Sequence, residues 1–311
     1  MQMSPSRRLI LWLLVLVPPV LAQDIPFTLK VEVDLVSVDV MVADANGVLI
    51  NNLQQSDFEI YEEGVKRDIE FFAPVSAPYN IFLLFDGSSS TSDRTRFMQD
   101  AIYSFISELR PQDRVAVATF ARGYDVHLPW SLDRTEAFTS LNEIAARGDS
   151  NGTRLYSALE RTLRREFGDV SGRRAVIVMT DGQDTDYSHN SQGDLRKALN
   201  AARDSRIPVY FVALGAPVVS KTPEQLRDYM LEVRTYMQLM ADRSGGRVLF
   251  PRSLDDLVPM YTQIAQALGT SYSLGFLPSA SARPDSFQRI VVKAAPAGVR
   301  ITQSRDGYTA R

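Results

Sequence analysis

Three short segments carry oxygen donors at places where apolar runs begin or end. Asp86-Gly87-Ser88-Ser89-Ser90 follows the run Ile81–Phe85, Gly152-Thr153 precedes a helical stripe, and Thr180-Asp181-Gly182 closes the run Ala175–Thr180. The donors Asp86, Ser88, Ser90, Thr153 and Asp181 comprise two carboxylates and three hydroxyls. An all-oxygen set without His or Cys suits a small, hard divalent cation, Mg²⁺ first, with Mn²⁺ or Ca²⁺ as alternatives. Along an extended exit from a strand, Asp86 and Ser88 alternate to the same side and Ser90 continues the turn, so Gly87 and Ser89 point away. Three neutral hydroxyls among the donors neutralise a dication only partly. Such an ion favours an anionic sixth ligand, most simply an Asp or Glu carboxylate from another protein, which is binding chemistry and not turnover.

Enzyme alternatives fit the residues less well. A serine hydrolase wants a G-x-S-x-G elbow, and Gly87-Ser88-Ser89 does not match it. A phosphatase attacking with a strand-end aspartate wants a second carboxylate at position 88, where serine stands. No G-x-x-x-x-G-K or G-x-G-x-x-G follows a strand to cradle phosphate. The two histidines, His127 and His189, cannot be placed on a nucleophile, and His127 reads as a packed or half-exposed strand residue.

The elements that must position the donors are legible from hydrophobic patterning. From Asn80 onward, short apolar runs at Ile81–Phe85, Val115–Phe120, Ala175–Thr180, Val209–Leu214 and Arg247–Phe250 alternate with helical stripes. That texture predicts a doubly wound, mostly parallel α/β sheet covered on both faces. The stripes include Phe97 to Leu109, Leu155 to Leu163, Leu195 to Ala202, Leu226 to Met237 and Leu257 to Leu268. Tyr124–Leu128 follows Val115–Phe120 so closely that only an antiparallel edge hairpin fits. Gly245-Gly246 supplies a left-handed stop to the preceding helix. Ligands of such sheets bind beyond the carboxyl ends of the strands, where all three donor loops fall.

Asp86-x-Ser88-x-Ser90 after an apolar strand, Thr153 in a loop and Asp181 in Thr180-Asp181-Gly182 together resemble the metal-ion-dependent adhesion site of the von Willebrand factor type A domain family. The resemblance covers roughly residues 77–270 and implies a Rossmann-like fold that binds protein ligands through the metal. It further implies that Ser88, Ser90 and Thr153 ligate directly, with Asp86 and Asp181 acting directly or through water. The flanking segments resemble those of exported bacterial proteins related to this domain. A structural or assembly role in the cell envelope, without metal-dependent binding, is the alternative.

The rest of the chain frames this reading. Residues 1–22 carry Arg7 and Arg8, an apolar run Leu9–Val17 and Pro18-Pro19-Val20-Leu21-Ala22, the order of a secretory signal. A membrane association is expected only through that segment left uncleaved. The 311 residues contain no cysteine, and a chain of this length can bury about three-quarters of its unfolded surface without disulfides. Export without cysteine points to a bacterial periplasm or cell surface. Thirty-four Lys and Arg against 37 Asp and Glu argue against a nucleic-acid partner. Residues 23–76 and 271–311 alternate with period 2, notably Thr28–Val42, which reads as a long bulged strand. Phe58–Tyr61 and Asp68–Phe72 read as strands around Glu63-Gly64, and the two terminal segments are expected to pair into one small β-domain. Among residues that invite sharper readings, Asp184 and Asp186 read as a solvated polar loop, Arg147-Gly148-Asp149 as chance, Tyr124 and Trp130 as core cover beside a sheet edge, and Met230, Met237 and Met240 as packing.

Overall fold

The computed structural model describes residues 35–45, 48–88, 95–145, 152–168, 170–185, 191–205, 207–214 and 223–310. A six-stranded sheet carries the centre of the molecule. It is built from β5 (Tyr79–Asp86), β6 (Arg114–Phe120), β7 (Tyr124–Ser131), β8 (Arg173–Thr180), β9 (Val209–Ala213) and β10 (Arg247–Leu249), in the order β10-β9-β8-β5-β6-β7. All pairs are parallel except β6 with β7, the edge hairpin expected from the short connection.

Strand β5 shows why the sequence reads as an unbroken apolar run. All eight of its residues are buried, because each face of the sheet has its own helical cover. Tyr79, Ile81, Leu83 and Phe85 point into one core with α1 (Thr95–Glu108), α2 (Arg134–Ala145) and α6 (Leu257–Thr270). Phe82 and Leu84 point into the other, with α3 (Leu155–Arg161), α4 (Ser191–Ser205) and α5 (Pro223–Ser244). Strand period and two-sided burial together give the doubly wound architecture. Trp130 and Tyr124 join the second core as expected, the indole resting on Phe82 and Phe167 while its Nε1 donates to Glu166 O at 2.9 Å. Met237 and Met240 are buried there too.

The terminal segments pair with each other, as two sheets and not one. One has the order β13-β1-β11-β4 and the other β14-β12-β2-β3. The strands are β1 (Val36–Ala43), β2 (Phe58–Glu62), β3 (Val65–Arg67), β4 (Ile69–Ala73), β11 (Tyr272–Phe276), β12 (Phe287–Ala294), β13 (Arg300–Gln303) and β14 (Gly307–Thr309). Val36, Val38, Val40 and Val42 of β1, Phe58 and Ile60 of β2, Leu274 of β11 and Ile290 of β12 share a single core, so the two sheets form a sandwich. Glu63 and Gly64 both take positive φ (46° and 80°), which turns β2 into the short β3. Strand β4, the strand expected at Asp68–Phe72, then crosses to the other sheet to pair with β11, and the short β3 before it was not expected. The first part of the expected long strand, with its bulge, lies outside the described residues.

A buried arginine ties the sandwich to the α/β sheet. Arg173, at the start of β8, donates to the carbonyls of Val75, Ala77, Leu268 and Ser271 and to Ser273 Oγ, with its guanidinium 3.9 Å from the Tyr79 ring centroid. It thereby satisfies the carboxyl end of α6 and both linkers at once.

Candidate metal centre

Two of the donor loops are set by the strand before them, β5 and β8. At the end of β5, Gly87 N donates to Phe120 O at 2.8 Å, pinning the loop to the end of β6. Asp86 is 2% exposed; its Oδ1 accepts from Ser88 N at 3.0 Å and its Oδ2 from Thr180 Oγ1 at 2.7 Å. The Thr180 hydroxyl in turn accepts from Gly182 N at 2.9 Å. Asp181 is 1% exposed and accepts from Gln183 N and Gln183 Nε2, each at 3.0 Å. Gly182 makes the turn with φ +82°, and a Cβ there would lie 2.4 Å from Val233 Cγ1 on α5.

The third loop is sewn to the second. Thr153 N donates to Thr185 Oγ1 at 3.1 Å and Thr185 N donates back to Thr153 O at 2.9 Å. Arg154 N donates to Ala121 O at 2.9 Å, which holds the same loop against the end of β6. Asp184 Oδ2 accepts from Tyr156 N at 3.1 Å in the first turn of α3. The loop read as merely solvated therefore has a half-buried carboxylate holding the start of the helix that follows Thr153. His127 is half-buried on β7 with its Nε2 2.7 Å from Thr119 Oγ1. Ser90, Asp186, His189 and Arg147–Asp149 lie outside the described residues.

Four of the five expected donors thus sit, buried, on one edge of the sheet: Asp86, Ser88, Thr153 and Asp181. Burial and the neighbouring Asp181 charge push the Asp86 carboxyl up to about 7, against hydrogen bonds from Ser88 and Thr180 that pull it down. Two acids held together out of water are an arrangement that a dication relieves. Among the described residues no group of three or more His, Asp or Glu could hold a metal, so a cation here depends on hydroxyl oxygens as well as carboxylates. Thr180, Gln183, Thr185 and Asp184 are contacts that the donor spacing did not reveal. Thr180 alone had a signal, since it is a polar residue ending an otherwise apolar strand.

A doubly wound sheet with hydroxyl and carboxylate loops at the carboxyl ends of its strands defines a Rossmann-like domain class. The chain matches the von Willebrand factor type A domain family over residues 80–240, 161 of its 311 residues, and belongs to that family. A UPF0353 protein of Mycolicibacterium gilvum is 23% identical over 184 residues, 57% of this chain and 55% of the relative. The chain thus spans about half the length of that curated relative. Among solved structures, the open pilus adhesin SpaC of Lactobacillus rhamnosus GG aligns at 11% identity with a TM-score of 0.51, covering 82% of this chain and 48% of that one. A von Willebrand factor type A protein of Catenulispora acidiphila aligns at 15% identity with a TM-score of 0.48, covering 90% of this chain and 75% of that one. At 11% identity the likeness to SpaC is one of fold.

Proposed function

We propose that this chain is a metal-ion-dependent protein-binding module. Asp86, Ser88, Ser90, Thr153 and Asp181 hold Mg²⁺, or Mn²⁺ or Ca²⁺ in its place, and an Asp or Glu carboxylate of a partner protein completes the shell. The observation that carries this reading is the joining of the loops: β5 is tied to β8 through Asp86 and Thr180, and the Thr153 loop to the Asp181 loop through Thr185. Membership of a family whose domains typically bind and do not catalyse supports it. The bound cation would supply an electrophilic centre for a carboxylate; the protein's part is to hold the donors in place. We further propose that the chain works outside the cytoplasm, in a bacterial periplasm or at the cell surface, because residues 1–22 have the order of an export signal.

Titrating the chain with Mg²⁺ while following its thermal unfolding tests the metal reading. A ligand of the native state raises Tm, by an amount that grows with concentration over Kd. Asp181→Asn should abolish the rise and leave the fold intact. No rise in the wild-type chain favours the alternative, an envelope assembly role through surface complementarity. Pull-down from envelope extract with and without EDTA then tests the carboxylate partner.

A further inference from the structure

A cavity lies away from the metal loops, where the ends of α4 and α5 meet the sandwich. Its volume is about 240 Å³, and its wall includes Arg203, Arg243, Arg305, Tyr308, Pro278 and Val36. None of the described residues that line it is acidic.

The three arginines are unequally engaged. Arg203 is paired with its neighbour Asp204 at 3.0 Å. Arg243 is half-buried on the last turn of α5. Arg305 is the one the fold has built around. Its Nη2 donates only weakly, at 3.3 Å, to Arg243 O, and its Nε is buried without a hydrogen-bond partner. The guanidinium lies over Gly245, where a Cβ would come within 2.3 Å of it, so the left-handed glycine that ends α5 also makes the room it occupies. Burial pulls the Arg305 pKa down to about 10, partly offset by the charges of Asp39 and Asp242. A buried donor left unmade is costly, and burial outweighs the two carboxylate charges that act on this cation. The Tyr308 hydroxyl donates to Glu62, and Arg305 Nε makes no hydrogen bond to it.

We propose that this cavity binds a small organic anion, its carboxylate or phosphate head held by Arg305 and Arg243 and its apolar body against Pro278 and Val36. Guanidinium forks match the oxygens of either head group. The volume exceeds the roughly 150 Å³ that suffices for a benzene ring in an engineered apolar cavity, so a ring-sized body fits beside the head. This site is independent of the metal loops and of what they bind.

Calorimetric titration of the full chain with benzoate, phenyl phosphate and inorganic phosphate, at constant ionic strength, tests the proposal. Saturable binding of benzoate or phenyl phosphate, tighter than inorganic phosphate, is the expected result, and the better of the two organic probes identifies the head group. Arg305→Gln and Arg243→Gln should each weaken it by about tenfold or more. Should Arg305→Gln misfold, the half-buried Arg243→Gln still decides. Absence of saturable heat from both organic probes, or wild-type affinity in the folded variants, overturns the proposal.

Discussion

At the residue scale the candidate centre turns on the ionisation of Asp86. Its folded pKa of about 7 lies above the ordinary carboxylate value, so in the metal-free chain the protonated form is the one the fold favours. The contribution of this group to stability is complete below about pH 4, declines as pH rises toward 7, and is level above that. Mg²⁺ needs the ionised form and competes with the proton. The increment in Tm on adding Mg²⁺ should therefore grow between pH 5.5 and 8, and an increment that ignores pH would exclude Asp86 as a donor. Thr180→Val keeps the shape of the side chain while removing the donor to Asp86 Oδ2 and the acceptor for Gly182 N. Mg²⁺ affinity should drop by about 10–100-fold in a titration, the range seen for groups that orient metal ligands.

At the scale of elements, glycines report how closely loops and helices approach. Gly246→Ala would set a Cβ 2.0 Å from the Val209 carbonyl oxygen, a backbone atom that cannot swing aside. This variant should fail to accumulate as folded protein, whereas Gly269→Ala, which meets nothing within 4 Å, should unfold in urea within about 0.5 kcal/mol of wild type or be more stable. The central sheet, its edge hairpin and most of its helices were legible because two-sided burial leaves unbroken apolar strands and one-sided burial leaves stripes. Helix α2 was not read. It buries little beyond Ala137 and Leu141, so its stripe is faint. The signal lay in its cap, where Asp133 Oδ1 accepts from Thr135 N at 2.7 Å, ahead of Glu136. The five expected donors were chosen by residue type and loop position. Thr185 and Asp184 could not be, because their role depends on which loop folds against which. The short β3 and β14 were missed for the same reason: three residues carry too little pattern, and only the partner strand defines them.

For the whole molecule, the junction at Arg173 joins three lengths of chain far apart in sequence: residues 75–77, β8 and the α6–β11 connection. Arg173→Met preserves much of the apolar stem but abandons the carbonyls of Leu268 and Ser271, while those of Val75 and Ala77 keep Arg110 as a donor. With about 1–3 kcal/mol for each buried group left unmade, and some relieved by water, a loss on the order of 3 kcal/mol is expected. In a chain of this size that lowers Tm by roughly 5–10 °C, measurable by circular dichroism. The sandwich itself is closed by strands from both sides of the α/β domain: β1 lies between β11 and β13, and β12 lies between β2 and β14. On a ribosome, β1 must wait for roughly two hundred further residues, ten to forty seconds at about 5–20 residues per second, before β11 and β13 exist, and β2, already beside β3, waits as long for β12. The α/β domain has all its own strands by then, so during synthesis it is the part able to fold first, with β1 unpaired and β2 paired on one side only.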